Sequence, residues 1–230
     1  MVNYANFAKA SYGMVKTGNK SKKAQDINKD IAMSGFVMNE EKSNKDVQYF
    51  HHPEKKKVVI SHRGSSFGSS KGKQDLTSDI MYAVGLEKHS PQFKKRSKRT
   101  NDLIKDIPDD HHVTLTGHSY GGASINHTLV TKPKVRSRVD KVELYNPLIS
   151  PFTSKTSKKT NKELNEKVTV HRTENDVPSQ FYHTLPYGDV KTYKQKEHAL
   201  GNIKVLPKHL EDKFDSVEQF KSHTIDNFTQ

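Results

Sequence analysis

Short apolar runs closed by glycine or polar turns alternate along this chain with longer stretches whose apolar residues recur every three or four positions. Strands and helices in alternation predict a mostly parallel sheet flanked by helices. Tyr4, Phe7, Ala8, Ala10 and Met14 stand at helical spacing, which predicts a helix over residues 3–16, although Gly13 weakens it. A polar, lysine-rich connector is expected from there to about Asp30. Gly35–Met38 and Asp46–Phe50 read as two strands separated by a charged turn. Lys57–His62 is a stronger strand, because its continuous Val58-Val59-Ile60 centre suits a sheet covered on both faces. Asp75–Val84 reads as a short helical or extended segment. Ser90-Pro91 has the form of a helix start, and Phe93, Leu103, Ile104 and Ile107 give that helix an apolar face before Pro108 ends it. Val113–Thr116 reads as a buried strand, and the helix behind it carries Ala123, Ile125, Leu129 and Val130 and stops before Pro133.

Further strands are expected at Val139–Tyr145 and Lys167–Arg172, with a late hairpin from Tyr187–Lys194 and Gly201–Leu206. Ser150–Lys162, rich in Ser, Thr and Lys, reads as an exposed loop or flap. A last helix begins at Asp215 or Ser216 and holds His223 near its far end. With 230 residues, 31% of them hydrophobic, the expectation is one domain over residues 1–230 with a compact core under a heavily charged surface.

The absence of cysteine excludes disulfides, thiol nucleophiles and zinc–thiolate sites. The first twelve residues lack the basic-then-apolar order of a signal peptide, and no run approaches 18 apolar residues. An intracellular, cytoplasmic location is therefore expected, with peripheral membrane contact as its variant. The formal net charge of +13 admits nucleic acid, an anionic membrane surface or solvent as the partner of the basic clusters. Those clusters, Lys20–Lys23, Lys55–Lys57, Lys94–Arg99 and Lys155–Lys162, mostly lack aromatic neighbours, and no zinc-finger, RNP or basic-zipper signature accompanies them. Solvated faces are the first expectation, anionic lipid the second and nucleic acid the third. His51-His52 and His111-His112 lie on extended segments where neighbours point to opposite faces, so no metal site is expected, and nothing calls for a cofactor.

The chemistry concentrates at Gly117-His118-Ser119-Tyr120-Gly121, a G-x-S-x-G sequence between a predicted strand and a predicted helix. A serine at the apex of such a turn has strained backbone angles, and side chains two positions away on either side would collide. Its Oγ projects above the sheet, and the helix behind it offers N–H groups and a positive dipole end to an oxyanion. Arg63-Gly64-Ser65-Ser66 follows the Lys57–His62 strand, where a glycine allows close backbone approach and Ser65 adds a hydroxyl to its own N–H. Such a loop and the N–H after the nucleophile form the two halves of an α/β-hydrolase oxyanion hole. A simple flexible loop fits the same residues.

Serine needs an imidazole to take its proton and a carboxylate to orient that imidazole, in the chain order Ser, Asp or Glu, His. Asp176, just past the Lys167–Arg172 strand, is better placed than Asp140 or Asp189. Of His183, His198, His209 and His223, the late His223 is preferred and His209 is the reserve.

These motifs together resemble the class 3 lipases, the fungal triacylglycerol lipase-like branch of the α/β-hydrolases. Val58-Val-Ile-Ser-His-Arg-Gly-Ser65 is similar to their oxyanion loop, and Thr116-Gly-His-Ser-Tyr-Gly-Gly-Ala123 to their elbow, with Tyr120 in place of leucine. Asp75-Leu-Thr-Ser-Asp-Ile80 resembles an Asp-Trp-x-x-Asp-Leu segment with leucine replacing the aromatic. Asn175-Asp-Val-Pro178 resembles the stretch holding the family's aspartate, one residue shorter, and His223 with Phe228 resembles its late histidine. The resemblance implies an α/β-hydrolase fold and a serine carboxylic ester hydrolase acting on lipid acyl esters. Ser119, Asp176 and His223 would form the triad, with Ser65 and Tyr120 as the oxyanion hole. Residues Phe67–Gln74 are polar and glycine-rich, so a short or absent lid is expected, and small esters or phospholipids stand beside triacylglycerol as substrates. A thioesterase or peptidase could use the same triad. The competing class is a catalytically silent hydrolase fold whose basic surface binds nucleic acid or another anionic partner.

Overall fold

A computed structural model describes residues 2–13, 22–64, 89–174, 185–195 and 224–229. Its centre is one seven-stranded sheet whose spatial order follows the chain, β1 (Val37–Met38), β2 (Val47–His52), β3 (Lys57–His62), β4 (His112–His118), β5 (Lys141–Tyr145), β6 (Val168–Thr173) and β7 (Asp189–Tyr193). The β1–β2 and β2–β3 pairs are antiparallel and the four pairs from β3 to β7 are parallel. A parallel neighbour requires the chain to return to its starting edge, and helices provide those returns. Helix α3 (Pro91–Lys105) precedes β4, α4 (Tyr120–Thr131) and α5 (Pro133–Arg138) precede β5, and α6 (Pro151–Ser154) and α7 (Lys158–Asn165) precede β6.

Alternation along the strands divides the core into two layers. Val58 and Ile60 of β3, Val113 and Leu115 of β4, Val142 and Leu144 of β5, and Val168 and Val170 of β6 share a cluster with Leu103, Ile125, Leu129 and Leu164 from the returning helices. The other face meets α1 (Tyr4–Gly13) and α2 (Lys22–Met33), where Phe7 packs edge-on against Phe36 and Phe50 and clusters with Ile31 and Val59. Ser61 and Thr116 lie on this second face, and their hydroxyls donate to the carbonyls of Phe7 and Tyr4 at 3.0 and 3.3 Å. Their burial is thereby hydrogen-bonded, and it fixes α1 across β3 and β4. A 3₁₀ turn at Ile225–Phe228 closes the same face beside Ala5, Ala8 and Tyr145.

Two expectations are corrected here. The segment read as a connector to Asp30 is largely helix α2. Ala24, Ile27 and Ile31 already stand at helical spacing in it, and Ile31 is buried in the Phe7 layer. The segment read as a flap at Ser150–Lys162 contains α6 and α7. The Ser150 hydroxyl accepts from the Thr153 N–H, that of Ser157 accepts from the Thr160 N–H, and Leu164 anchors α7 in the core. Strand β7 pairs in parallel with β6, while residues 201–206 of the expected hairpin, the Asp75–Val84 segment and the helix begun at Asp215 lie outside the described residues. No helix among the described residues is long and apolar enough to cross a membrane.

Candidate active site

Strand β4 runs in the middle of the sheet between β3 and β5 and delivers Ser119 at its carboxyl end. Ser119 has φ 54° and ψ −122°, a left-handed conformation that residues with a Cβ rarely adopt and that costs about 1–3 kcal/mol. The surroundings enforce it. The Ser119 N–H donates to the Tyr145 carbonyl at 3.0 Å, and its own carbonyl accepts from the Ala123 N–H at 3.0 Å, so one residue ends a strand interaction and begins a helix. The flanking glycines are required by space. A Cβ on Gly117 would stand 2.7 Å from the carbonyl carbon of Gly121, and one on Gly121 would stand 2.2 Å from the His62 carbonyl oxygen. The collision expected from the motif is thus present on both sides of the serine.

Gly121 also sets the start of α4 directly against the end of β3. Its close approach seats the first turn of α4 on the His62–Arg63 backbone, and β3 and β4 end in register with His62 opposite Gly117. The Tyr120 N–H lies in that first turn, where N–H groups and the positive end of the helix dipole face outward. Ser65, two residues past Arg63, lies outside the described residues, as do Asp176, His223, His209 and the Phe67–Gln74 segment where a lid was considered. Their chain neighbours are in place. β6 ends at Thr173, whose N–H donates to Asn146 Oδ1 at 3.1 Å and ties the ends of β5 and β6 together. The Ile225–Phe228 turn follows shortly after His223 and places Phe228 against Tyr145, with ring centroids 5.1 Å apart.

Three structural features had no signal in the motifs. Arg96, buried on α3, donates to the Arg63 carbonyl and lies 4.9 Å over the Tyr120 ring, while its other nitrogen stands 3.5 Å from Asp46. This guanidinium therefore joins the end of β3 to the residue after Ser119. The Tyr12 hydroxyl is hydrogen-bonded with His118 Nδ1 at 2.7 Å; burial raises the phenol well above its ordinary pKa of 10, against the pull of Arg63 and Arg96, so the hydroxyl stays protonated. On the same sheet face, Glu143 is bonded to His171 and Lys141, and Tyr145 stacks on the His171 ring at 4.6 Å. Burial alone raises the Glu143 pKa, but its hydrogen bonds from His171 and Lys141 reverse the direction and lower it.

Behind the elbow, His62 bridges Ser124 at 3.0 Å and Thr100 at 2.7 Å. Burial first, and Arg96 second, hold its pKa down at about 3 from the ordinary 6.5. His127, between Phe93 and Phe152, is lowered to about 4 by burial and then by Lys132. Both are neutral when folded and take up protons on unfolding below about pH 6.5. The folded pKa values lie below the unfolded ones, so this stability is complete above pH 6.5 and is lost as the pH falls toward 4 and then 3. Melting temperatures measured across that window should fall steadily, and His62→Asn should flatten the decline. A wild-type melting temperature that is constant over the window would contradict the neutral buried state.

The sheet order and the elbow define the α/β-hydrolase fold. Among solved structures, one described as a fungal lipase matches with a TM-score of 0.51 at 14% identity, covering 96% of this chain and 92% of that one. A Rhizopus microsporus var. chinensis lipase and a Rhizomucor miehei lipase–propeptide complex align less closely, with TM-scores of 0.41 and 0.46, both at 14% identity and over 77% of this chain. The chain spans 66% and 61% of those two lipases. At such identities the likeness is one of fold. No protein-family model matches the sequence, and no curated protein matches it.

Proposed function

We propose that this chain is a serine carboxylic ester hydrolase that cleaves acyl esters of lipids. The observation that carries the reading is the strained Ser119 at the carboxyl end of the central strand, with a helix starting at the next residue. A conformation that costs stability, maintained by two glycines that tolerate no side chain, is the arrangement expected where a nucleophile must be presented. In the proposed reaction Ser119 Oγ attacks the acyl carbonyl while His223 takes its proton and Asp176 orients the imidazole. The Tyr120 N–H, with the N–H and hydroxyl of Ser65, receives the oxyanion. Collapse of the tetrahedral intermediate expels the alcohol, protonated by His223, and leaves an acyl–Ser119 ester. Water, deprotonated by the same histidine, then releases the acid.

A lipid acyl substrate is favoured by the fold's likeness to lipases, and p-nitrophenyl esters of increasing acyl length test it. Activity rising with chain length supports a lipid substrate, and activity confined to acetate argues for a small-ester hydrolase. The same assay decides the histidine. His223→Ala should lower kcat at least about a thousandfold, whereas His209→Ala should stay within about twofold of wild type. The reverse result would move the base to His209.

A further inference from the structure

Arg96 differs from the basic run Lys94–Arg99 in which it lies. It is 3% exposed, whereas Lys94, Lys95 and Lys98 of the same helix are exposed. Burying a guanidinium is costly unless its donors and its planar face are taken up. Here they are taken up by separate elements. Nη1 donates to the Arg63 carbonyl at 2.5 Å, Nη2 stands 3.5 Å from Asp46, and the guanidinium carbon lies 4.9 Å from the centre of the Tyr120 ring.

At the end of β3, the Arg63 N–H donates to the Asp46 carbonyl at 3.0 Å, so Asp46 and Arg96 between them hold both backbone groups of Arg63. The Arg63 carbonyl belongs to the planar peptide unit that leads into Gly64. Fixing it fixes the direction in which the chain sets out toward Ser65. At the start of α4, Phe93 packs on the Tyr120 ring with centroids 4.8 Å apart. Phe93 and Arg96 stand three apart on one face of α3, so the same helix face holds the ring from both residues. Leucine, which the resembled elbow has in place of Tyr120, offers a guanidinium no π-face. Helix α3 is itself anchored one turn further on. There the Thr100 hydroxyl donates to the Arg96 carbonyl at 3.0 Å and meets His62 Nε2 at 2.7 Å, and His62 Nδ1 reaches Ser124 of α4 at 3.0 Å. The arginine thus extends from a fixed base.

We propose that Arg96 is a positioning residue for the oxyanion site: by holding the Arg63 carbonyl and the Tyr120 ring at once, it sets the Ser65 loop against the Tyr120 N–H. This role rests on the ester-hydrolase function proposed above, which supplies the donors to be aligned. The oxyanion develops only as the reaction proceeds, so misplaced donors weaken the transition state and leave the bound substrate nearly unaffected. The planar fork is what the role requires. A lysine ammonium is a point charge on a flexible stem and cannot meet a carbonyl and lie over a ring together.

The test is steady-state kinetics of the full chain on a soluble p-nitrophenyl ester, at a temperature where every variant is folded by circular dichroism. Arg96→Met and Arg96→Lys should each lower kcat at least about tenfold, with KM within about threefold of wild type. Asp46 also stands 3.8 Å from Arg63, so it keeps a cation in both proteins. Should Arg96→Met not fold, Arg96→Lys retains the buried charge and decides alone. Affinity for an alkyl trifluoromethyl ketone, whose hemiketal oxyanion on Ser119 would occupy the same donors, should weaken at least about tenfold in step with kcat/KM. Tyr120→Leu should also lower kcat, and the double variant with Arg96→Met should lose less than the product of the two single losses, because both remove one contact. Arg99→Met removes an α3 arginine that donates to the Lys42 carbonyl at 2.7 Å, away from the elbow, and should keep kcat within about twofold. Wild-type kcat in Arg96→Lys, a loss confined to KM, or fully multiplicative losses in the double variant overturns the proposal and leaves the Ser119 chemistry intact. A wild type without hydrolysis sinks the ester-hydrolase reading, and this role with it.

Discussion

Replacing Ser119 with alanine should lower kcat/KM for p-nitrophenyl esters by on the order of 10⁴- to 10⁶-fold, the range expected when a triad nucleophile is removed. The three proposed oxyanion donors, from Tyr120 and Ser65, would remain, so a residual rate above the uncatalysed one is expected. Alanine keeps the Cβ and hence the strain at φ 54°, so the melting temperature should stay within about 2 °C of wild type. Ser119→Gly separates the two properties further. It should be equally inactive yet more stable by about 1 kcal/mol or more, because glycine adopts this conformation without a Cβ penalty. Kinetics and urea denaturation on the three proteins check both statements. An Ser119→Ala protein within tenfold of wild type would remove Ser119 from the mechanism, and a destabilised Ser119→Gly would show that the turn is not strained as described.

The second large effect is expected at Gly121. A methyl group here meets the His62 carbonyl oxygen at 2.2 Å, the carbonyl carbon of His62 at 2.9 Å and that of Arg63 at 3.0 Å. All three are backbone atoms at the end of β3 or just past it, so no side chain can rotate away and α4 must lift from β3. Overpacking of this kind costs about 3 kcal/mol or more, which in a chain of this size lowers the melting temperature by about 6–12 °C. The gain in helix propensity from glycine to alanine, at most about 1 kcal/mol, does not offset it. Because α4 would carry the Tyr120 N–H away from the Arg63–Gly64 backbone, activity should fall more than stability alone explains. A 1 Å displacement at a catalytic group costs about a hundredfold. Kinetics at a temperature where Gly121→Ala is fully folded separate the two losses. Unchanged activity there would mean that the start of α4 does not set the geometry of the site.

Much of this architecture was legible because its signals are local. Val58-Val59-Ile60 marked β3 as a strand covered on both faces, Ser90-Pro91 marked the start of α3, and the glycines around Ser119 marked the elbow. The misread segments have a physical cause in common. In α2 and α7 lysine and polar residues outnumber the apolar ones, and a few anchors, Ile31 in one and Leu164 in the other, secure the helix through tertiary packing. Composition weighs all positions alike, whereas packing depends on one face. Arg96 was unreadable for another reason. Its partners Asp46, Arg63 and Tyr120 come from three separate elements, and its place in a cluster of basic residues suggested a solvated face. Likewise, His171 and Glu143 meet because adjacent strands bring residues 28 positions apart together.

The most direct test of the central claim is covalent labelling with an alkyl fluorophosphonate, followed by mass mapping of the adduct. A serine that is activated and presented at this elbow should take up one phosphonyl group per chain, carried by the peptide containing Ser119, and Ser119→Ala should take up none. Wild-type protein that remains unlabelled, or that carries the adduct elsewhere, would contradict the account.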